Sequence, residues 1–152
     1  MYLKRLTLMG LFCWLFIICG SEAWSGDKKL LKEPLTPVFV SISTDDIMDA
    51  DAAVHFVEQV AKRGHQVSIL LNSRGVRLAL ANVAKPIYGK QNKSIQDRLQ
   101  ALIKDGVKVI VCFGQATYDG RKKADLIDGV TIGSADIVMP ALFEKQTKVI
   151  SW

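Results

Sequence analysis

One cysteine ends a short apolar run, Lys108-Val-Ile-Val-Cys112, and Phe113-Gly114-Gln115 follows it. The run reads as a buried strand that opens into a Gly-containing turn. A thiolate, not a thiol, is the nucleophile. A cysteine at a strand end facing the N-terminus of the next helix sits in a positive field that favours the thiolate. Arg74, Arg121, Lys122 or Lys123 could add to that field. The plain alternative is a structural cysteine filling space at the strand terminus, since free cysteine is among the most buried residue types.

Two other polar clusters follow apolar runs: Ser43-Thr44-Asp45 and Asn72-Ser73-Arg74. In an open parallel α/β sheet, ligands bind outside the carboxyl ends of the strands. All three clusters would then meet at one edge. The candidate set is Cys112 as nucleophile, with Asp45, Asn72, Ser73, Arg74, Gly114 and Gln115 as binding residues. Asp45 and Asp46 also read as helix caps, and Arg74 as a solvated loop residue. His55 falls within the first predicted helix and His65 at its far end, so neither would serve Cys112. No Cys/His set has zinc spacing, and there is no GxGxxG, phosphate loop or nucleophile elbow. No cofactor and no metal are expected.

The elements that must position these groups alternate. Val38–Ser43, Val67–Leu71 and Val107–Val111 read as strands, rich in β-branched residues and nearly continuous in apolar character, as strands covered on both faces are. A helix is predicted from about Asp49 to Arg63, with Ala53, Phe56, Val57, Val60 and Ala61 on one face and Gly64 as its stop. A short helical piece is expected around Val76 to Ala81, then a surface loop marked by Pro86 and Gly89. Ser94 with Asp97 resembles a capping box and opens a helix with Ile95, Leu99, Leu102 and Ile103 facing inward. A helical turn from Arg121 to Ile127, an extended Val130–Ile132, a helix from Ala135 to Phe143 capped by Ser134, and a final strand Lys148–Trp152 complete the pattern. Strand–helix alternation implies parallel βαβ units with right-handed crossovers. The fold class is α/β, a flavodoxin-like three-layer sandwich with a mostly parallel sheet.

The chain has 152 residues, 49% of them hydrophobic and 23% charged, an ordinary globular balance for one domain. Its net charge is +5, with the positive charges scattered and no aromatic-interleaved basic stripe, which argues against nucleic acid as a partner. Lys4 and Arg5, an apolar run from Leu6 to Cys19, and the small-x-small Ser21-Glu22-Ala23 have the anatomy of a secretory signal peptide cleaved after Ala23. The run is shorter than the roughly 20 residues of a spanning helix. A periplasmic or secreted location is expected. Residues 24–36 read as a flexible leader and 37–152 as the folded domain. Cys13 and Cys19 leave with the signal peptide, so Cys112 is the one thiol of the mature chain and no internal disulfide can form.

With these pieces in order the chain resembles the DsrE/DsrF-like family of small α/β proteins associated with sulfur relay. The resemblance rests on Gly106-Val-Lys-Val-Ile-Val-Cys112, Asp125-Leu-Ile-Asp-Gly129-Val, Ser134-Ala-Asp136, Lys148-Val-Ile-Ser-Trp152 and Leu70-Leu-Asn-Ser-Arg-Gly75-Val, and covers about Val38 to Trp152. It implies a flavodoxin-like sandwich that forms trimers or hexamers, with Cys112 matching the persulfide-bearing cysteine. Two positions depart from the pattern: many relatives carry a second cysteine where this chain has Gln115, and an Arg-Gly pair where it has Asp119-Gly120, with Arg121 next along.

These readings support a periplasmic single-cysteine sulfur carrier or sulfurtransferase-like protein. Its partner would be a sulfur donor or acceptor protein, or a small sulfur compound. The alternative is a non-catalytic oligomeric module that binds a small anion or a protein, with Cys112 structural. A peroxide-sensing oxidoreductase is a third reading, and it lacks a resolving cysteine. No residue names the substrate.

Overall fold

A computed structural model describes residues 33–152. The signal peptide expected at 1–23 and most of the leader at 24–36 lie outside the described residues. Among the described residues five strands are joined by four α-helices: β1 Val38–Ile42, α1 Ile47–Lys62, β2 Val67–Leu71, α2 Ile95–Lys104, β3 Lys108–Cys112, α3 Phe113–Tyr118, β4 Thr131–Gly133, α4 Ala135–Leu142 and β5 Lys148–Ser151. Two 3₁₀ segments, Ser73–Ala79 and Lys123–Asp125, lie between them.

The sheet is wholly parallel, in the order β4-β3-β2-β1-β5. The chain therefore steps one way from β1 to β4 and then returns to the far side of β1. Right-handed crossovers put the first connections on one face and the return helix α4 on the other. This is the expected α/β sandwich.

Alternate residues of each strand define the two faces. Val38, Val40, Ile42, Val67, Ile69, Leu71, Val109 and Val111 form one core with Ala50, Ala53, Val54 and Val57 of α1 and Ile95, Leu99 and Leu102 of α2. The other face of β3 carries Lys108, Ile110 and Cys112. A cleft of about 280 Å³ opens there between α4 and the strands, lined by Lys108, Ile110, Thr131, Ile137, Pro140, Ala141 and Glu144.

The caps follow from side-chain chemistry. Asp46 accepts from the backbone N–H groups of Met48 (2.9 Å) and Asp49 (3.3 Å) and starts α1. Ser94 accepts from Asp97 N–H and donates to its carboxylate at 2.7 Å. That hydroxyl bond holds the Asp97 carboxyl below its ordinary range. Gly64 and Gly106 close α1 and α2 at φ +91°, a conformation glycine adopts without strain.

Three expectations change. The stretch after Cys112 is not an open turn: α3 begins at once, at Phe113, because a glycine in a first turn does not prevent six residues from winding. The helical turn expected over 121–127 shrinks to Lys123–Asp125. Leu126 instead pairs with Leu80 in an antiparallel bridge, held by Ala81 N–H to Asp125 O and Ile127 N–H to Ala79 O, and the side chains of Leu126 and Ile127 are buried. The helical piece expected at Val76 starts three residues earlier, at Ser73.

α2 is fixed to α1 by a group the apolar periodicity did not mark. Arg98 is 1% exposed. Its Nε and Nη2 donate to the two Glu58 carboxylate oxygens at 2.8 and 3.1 Å, and its Nη1 donates to Asp51. Burial alone would raise the Glu58 pKa, but the hydrogen bonds from Arg98 and Gln91 and the Arg98 charge outweigh it and hold it below the usual 4.5.

Gly75 shows how closely the strand ends are packed. A methyl group on it would stand 2.1 Å from the Ile42 carbonyl oxygen, which already accepts from Asn72 N–H at 3.0 Å. Backbone on both sides leaves no room to yield. Gly75→Ala is expected to destabilise the fold by about 3 kcal/mol, the upper range for overpacking. Urea unfolding would register this as a lower midpoint at an unchanged slope.

Candidate functional site

All five strands end on one edge, and the loops that leave them meet there. Asn72 leaves β2 and crosses toward β1, its Nδ2 donating to Ser41 Oγ at 2.9 Å. Its carbonyl accepts from Gly75 N–H at 2.8 Å, closing the first turn of the 3₁₀ segment. On the far side of β1, Ser43 donates to the Trp152 carbonyl from both its backbone (2.9 Å) and its hydroxyl (2.7 Å). The Trp152 ring packs on Phe56 with centroids 5.4 Å apart.

Asp45 is a clasp, not a cap. Its Oδ2 pairs with Arg77 Nη1 at 2.9 Å and its Oδ1 with Arg74 Nε at 3.5 Å. The capping role goes to Asp46. Arg77 was missed. With the segment starting at Ser73, Arg74 and Arg77 are one 3₁₀ turn apart and lie on the same side. A carboxylate three residues past β1, facing a turn that holds Arg-x-x-Arg, was the signal available.

Cys112 is the last residue of β3 and is half-buried. It is in register with Gly133 and, with Ile110, belongs to the face that carries α4. Gly133 has no room for a side chain: a methyl group there would lie 2.3 Å from Ile110 Cγ2 and 3.2 Å from Val138 Cγ2. The edge beside Cys112 is therefore kept low by glycine. The first-turn amides of α3, which have no intrahelical partner, open at that edge. The α4 N-cap residue Ser134, which makes no side-chain cap bond, follows Gly133 directly. Phe113, beside the thiol, is 56% exposed.

The other candidates divide. Gln115 lies in the first turn of α3, and its amide donates to Asp119 at 3.1 Å, so the pair that replaces the expected cysteine and arginine satisfies itself. Gly114 is exposed, and a methyl group there would meet nothing within 4 Å. Ser73 is exposed at φ +47°. Arg121 is exposed and makes no side-chain bond among the described residues; its backbone N–H closes on Ala116 O at 2.7 Å. His65 Nδ1 lies 3.0 Å from Thr36 O, and His55 lies 3.7 Å from Glu58 on α1. Neither is among the strand-end groups. Among the described residues no three His, Cys, Asp or Glu side chains are grouped to hold a metal ion.

The edge thus brings together a half-buried cysteine, the start of α3 and the exposed Phe113. That combination suits a nucleophile attacking a small electrophilic centre whose leaving group departs with its electron pair. The Asp45 carboxylate balances one of the two charges of Arg74 and Arg77, so the clasp keeps a net positive charge.

A model of the DsrE/DsrF-like family matches residues 38–151. Among solved structures, the crystal structure of the ychN protein from E. coli is similar at TM-score 0.65 and 20% identity, covering 78% of this chain and 100% of that one. A protein of unknown function, MTH1491 from Methanobacterium thermoautotrophicum, is similar at TM-score 0.61 and 17% identity, with the same coverage of both chains. At these identities the likeness concerns the fold. No curated protein matches closely enough to count as a relative.

Proposed function

The chain belongs to the DsrE/DsrF-like family, and from that membership we propose that it is an exported, single-cysteine sulfur carrier with Cys112 as the sulfur-bearing atom. The family suggests a sulfur-relay-related role. The observation that carries the finer reading is the place of Cys112: half-exposed at the carboxyl end of β3, and the only cysteine among the described residues.

The step balances without a cofactor. The Cys112 thiolate attacks the outer sulfur of a persulfide or thiosulfonate donor. The donor S–S bond breaks, and the leaving thiolate, sulfinate or sulfite takes its electron pair. Cys112–S–S⁻ remains. An acceptor thiolate then attacks the outer sulfur and frees the Cys112 thiolate. The acceptor supplies its own thiol, because Gln115 stands where a second cysteine would be.

The test is intact mass after incubation with thiosulfate or a small persulfide. The expected gain is one sulfur per chain, about 32 Da, removed by added thiol. No gain, together with a native thiol that reacts with a thiol reagent only on unfolding, would overturn the carrier and favour a binding module with a structural cysteine.

We further propose assembly with copies of itself, as a trimer or hexamer, through α4. The helix reads Ala-Asp-Ile-Val-Met-Pro-Ala-Leu, yet buries no residue. Ile137 is 41% exposed, Met139 46% and Phe143, just past the helix, 75%. A helix apolar all round is normally covered. Phe143→Glu is expected to lower the mass measured by light scattering toward that of a single chain, with the circular dichroism spectrum unchanged.

A further inference from the structure

Among the described residues, one exposed loop carries three lysines and no acid. Residues 33–152 contain fifteen Lys and Arg against thirteen Asp and Glu, a net +2. The loop 82–93, which leads into α2, holds Lys85, Lys90 and Lys93 and no acid, so the remainder is net negative. All twelve loop residues are exposed. They include Val83 at 41%, Ile87 at 60% and Tyr88 at 37%. A single exposed isoleucine needs no explanation, but three apolar side chains sharing one loop with three lysines do.

The loop is held in shape. Ile87 forms an antiparallel bridge with Ser94, and Gln91 donates to Glu58 at 2.9 Å. Gly89, at φ +75°, turns beside Asp51: a methyl group on it would lie 3.4 Å from that carboxylate. These ties leave Ile87 and Tyr88 facing water because the inner side of the loop is already committed.

We propose that this loop docks the protein on a surface of anionic phospholipid headgroups. Isoleucine and tyrosine suit the headgroup–acyl boundary, while lysine stems lie along apolar surface and carry their ammonium groups to phosphate. A fluid surface needs no matching shape. A protein partner would need about 800 Å² of complementary patch, more than one loop with three apolar side chains supplies. Each lysine near an anionic surface is worth about fivefold in partitioning. Asp97, close to Lys85 and Lys93, offsets part of this.

The test is sedimentation of the full chain with vesicles of phosphatidylglycerol and phosphatidylcholine, beside vesicles of phosphatidylcholine alone. Binding is expected to be at least tenfold stronger to the anionic vesicles and to weaken with added salt. The variant carrying Lys85→Glu, Lys90→Glu and Lys93→Glu should lose at least tenfold, and Ile87→Ser several-fold, each with an unchanged circular dichroism spectrum. No binding to anionic vesicles, or binding that ignores lipid charge and the loop lysines, overturns the proposal. So does retention on poly-glutamate without vesicle binding, which would assign the loop to an acidic polypeptide.

Discussion

Cys112→Ser is expected to abolish sulfur loading altogether while leaving the protein folded. The exchange replaces one atom. A serine hydroxyl near neutral pH is a poor nucleophile without an adjacent base, and no histidine is among the strand-end groups: His55 lies beside Glu58 on α1 and His65 against Thr36. An oxygen also cannot hold sulfur as a persulfide does. The stability cost should be small, within about 1 kcal/mol, because the site is half-buried and a hydroxyl at a strand end can reach water. Mass spectrometry should show the gain in the wild type only, and urea midpoints should nearly coincide. The form cleaved after Ala23 removes Cys13 and Cys19 from the experiment; with the whole chain, the modified peptide must map to Cys112. Loading that persists on the serine variant at any other position would remove Cys112 from the mechanism. A variant that fails to fold is answered by Cys112→Ala, which keeps the small volume without the hydroxyl.

The three apolar runs that became β1, β2 and β3 were legible because strands covered on both faces admit few polar residues, and glycine stops such as Gly64 and Gly106 are chemically unambiguous. Their parallel arrangement then placed Asp45, Asn72 and Cys112 at one edge. What each group does there was less legible. Asp45 reads as a cap from its neighbours, and only the 3₁₀ turn starting at Ser73 brings Arg74 and Arg77 onto it. The α3 helix was hidden by Gly114, whose low propensity says little when the following residues can wind. The basic loop was hidden differently. Spread along the sequence the lysines look scattered, and only exposure shows that their neighbours Ile87 and Tyr88 face out with them. Arg98 was the hardest to see. A charge between Ile95 and Leu99 reads as the edge of an apolar stripe until α1 presents two carboxylates to it.

That hidden group carries a stability effect as large as the one expected for Gly75→Ala. Arg98→Met keeps the stem and removes the charge, leaving Glu58 and Asp51 under the loop without their partner. Removing one member of a buried ion cluster costs about 3–5 kcal/mol. The side chains of Glu58 and Asp51 are 14% and 24% exposed, so water softens the penalty and the lower end, about 3 kcal/mol, is expected. The pH dependence separates this cause from lost packing. In the wild type Glu58 titrates below its unfolded value of 4.5, so it contributes stability that is present above about pH 4.5 and lost as the pH falls through the lower folded value. In Arg98→Met burial remains and its main counterweight is gone, so the Glu58 pKa should rise above the unfolded value. Protonation then favours the folded variant, and the gap between the two proteins should narrow as pH falls from 7 toward 4. A gap that stays constant across that range would mean the arginine acts through its hydrocarbon stem and shape. Combining Arg98→Met with Glu58→Gln and Asp51→Asn removes the unpaired charges along with their partner, and should recover most of the loss at neutral pH.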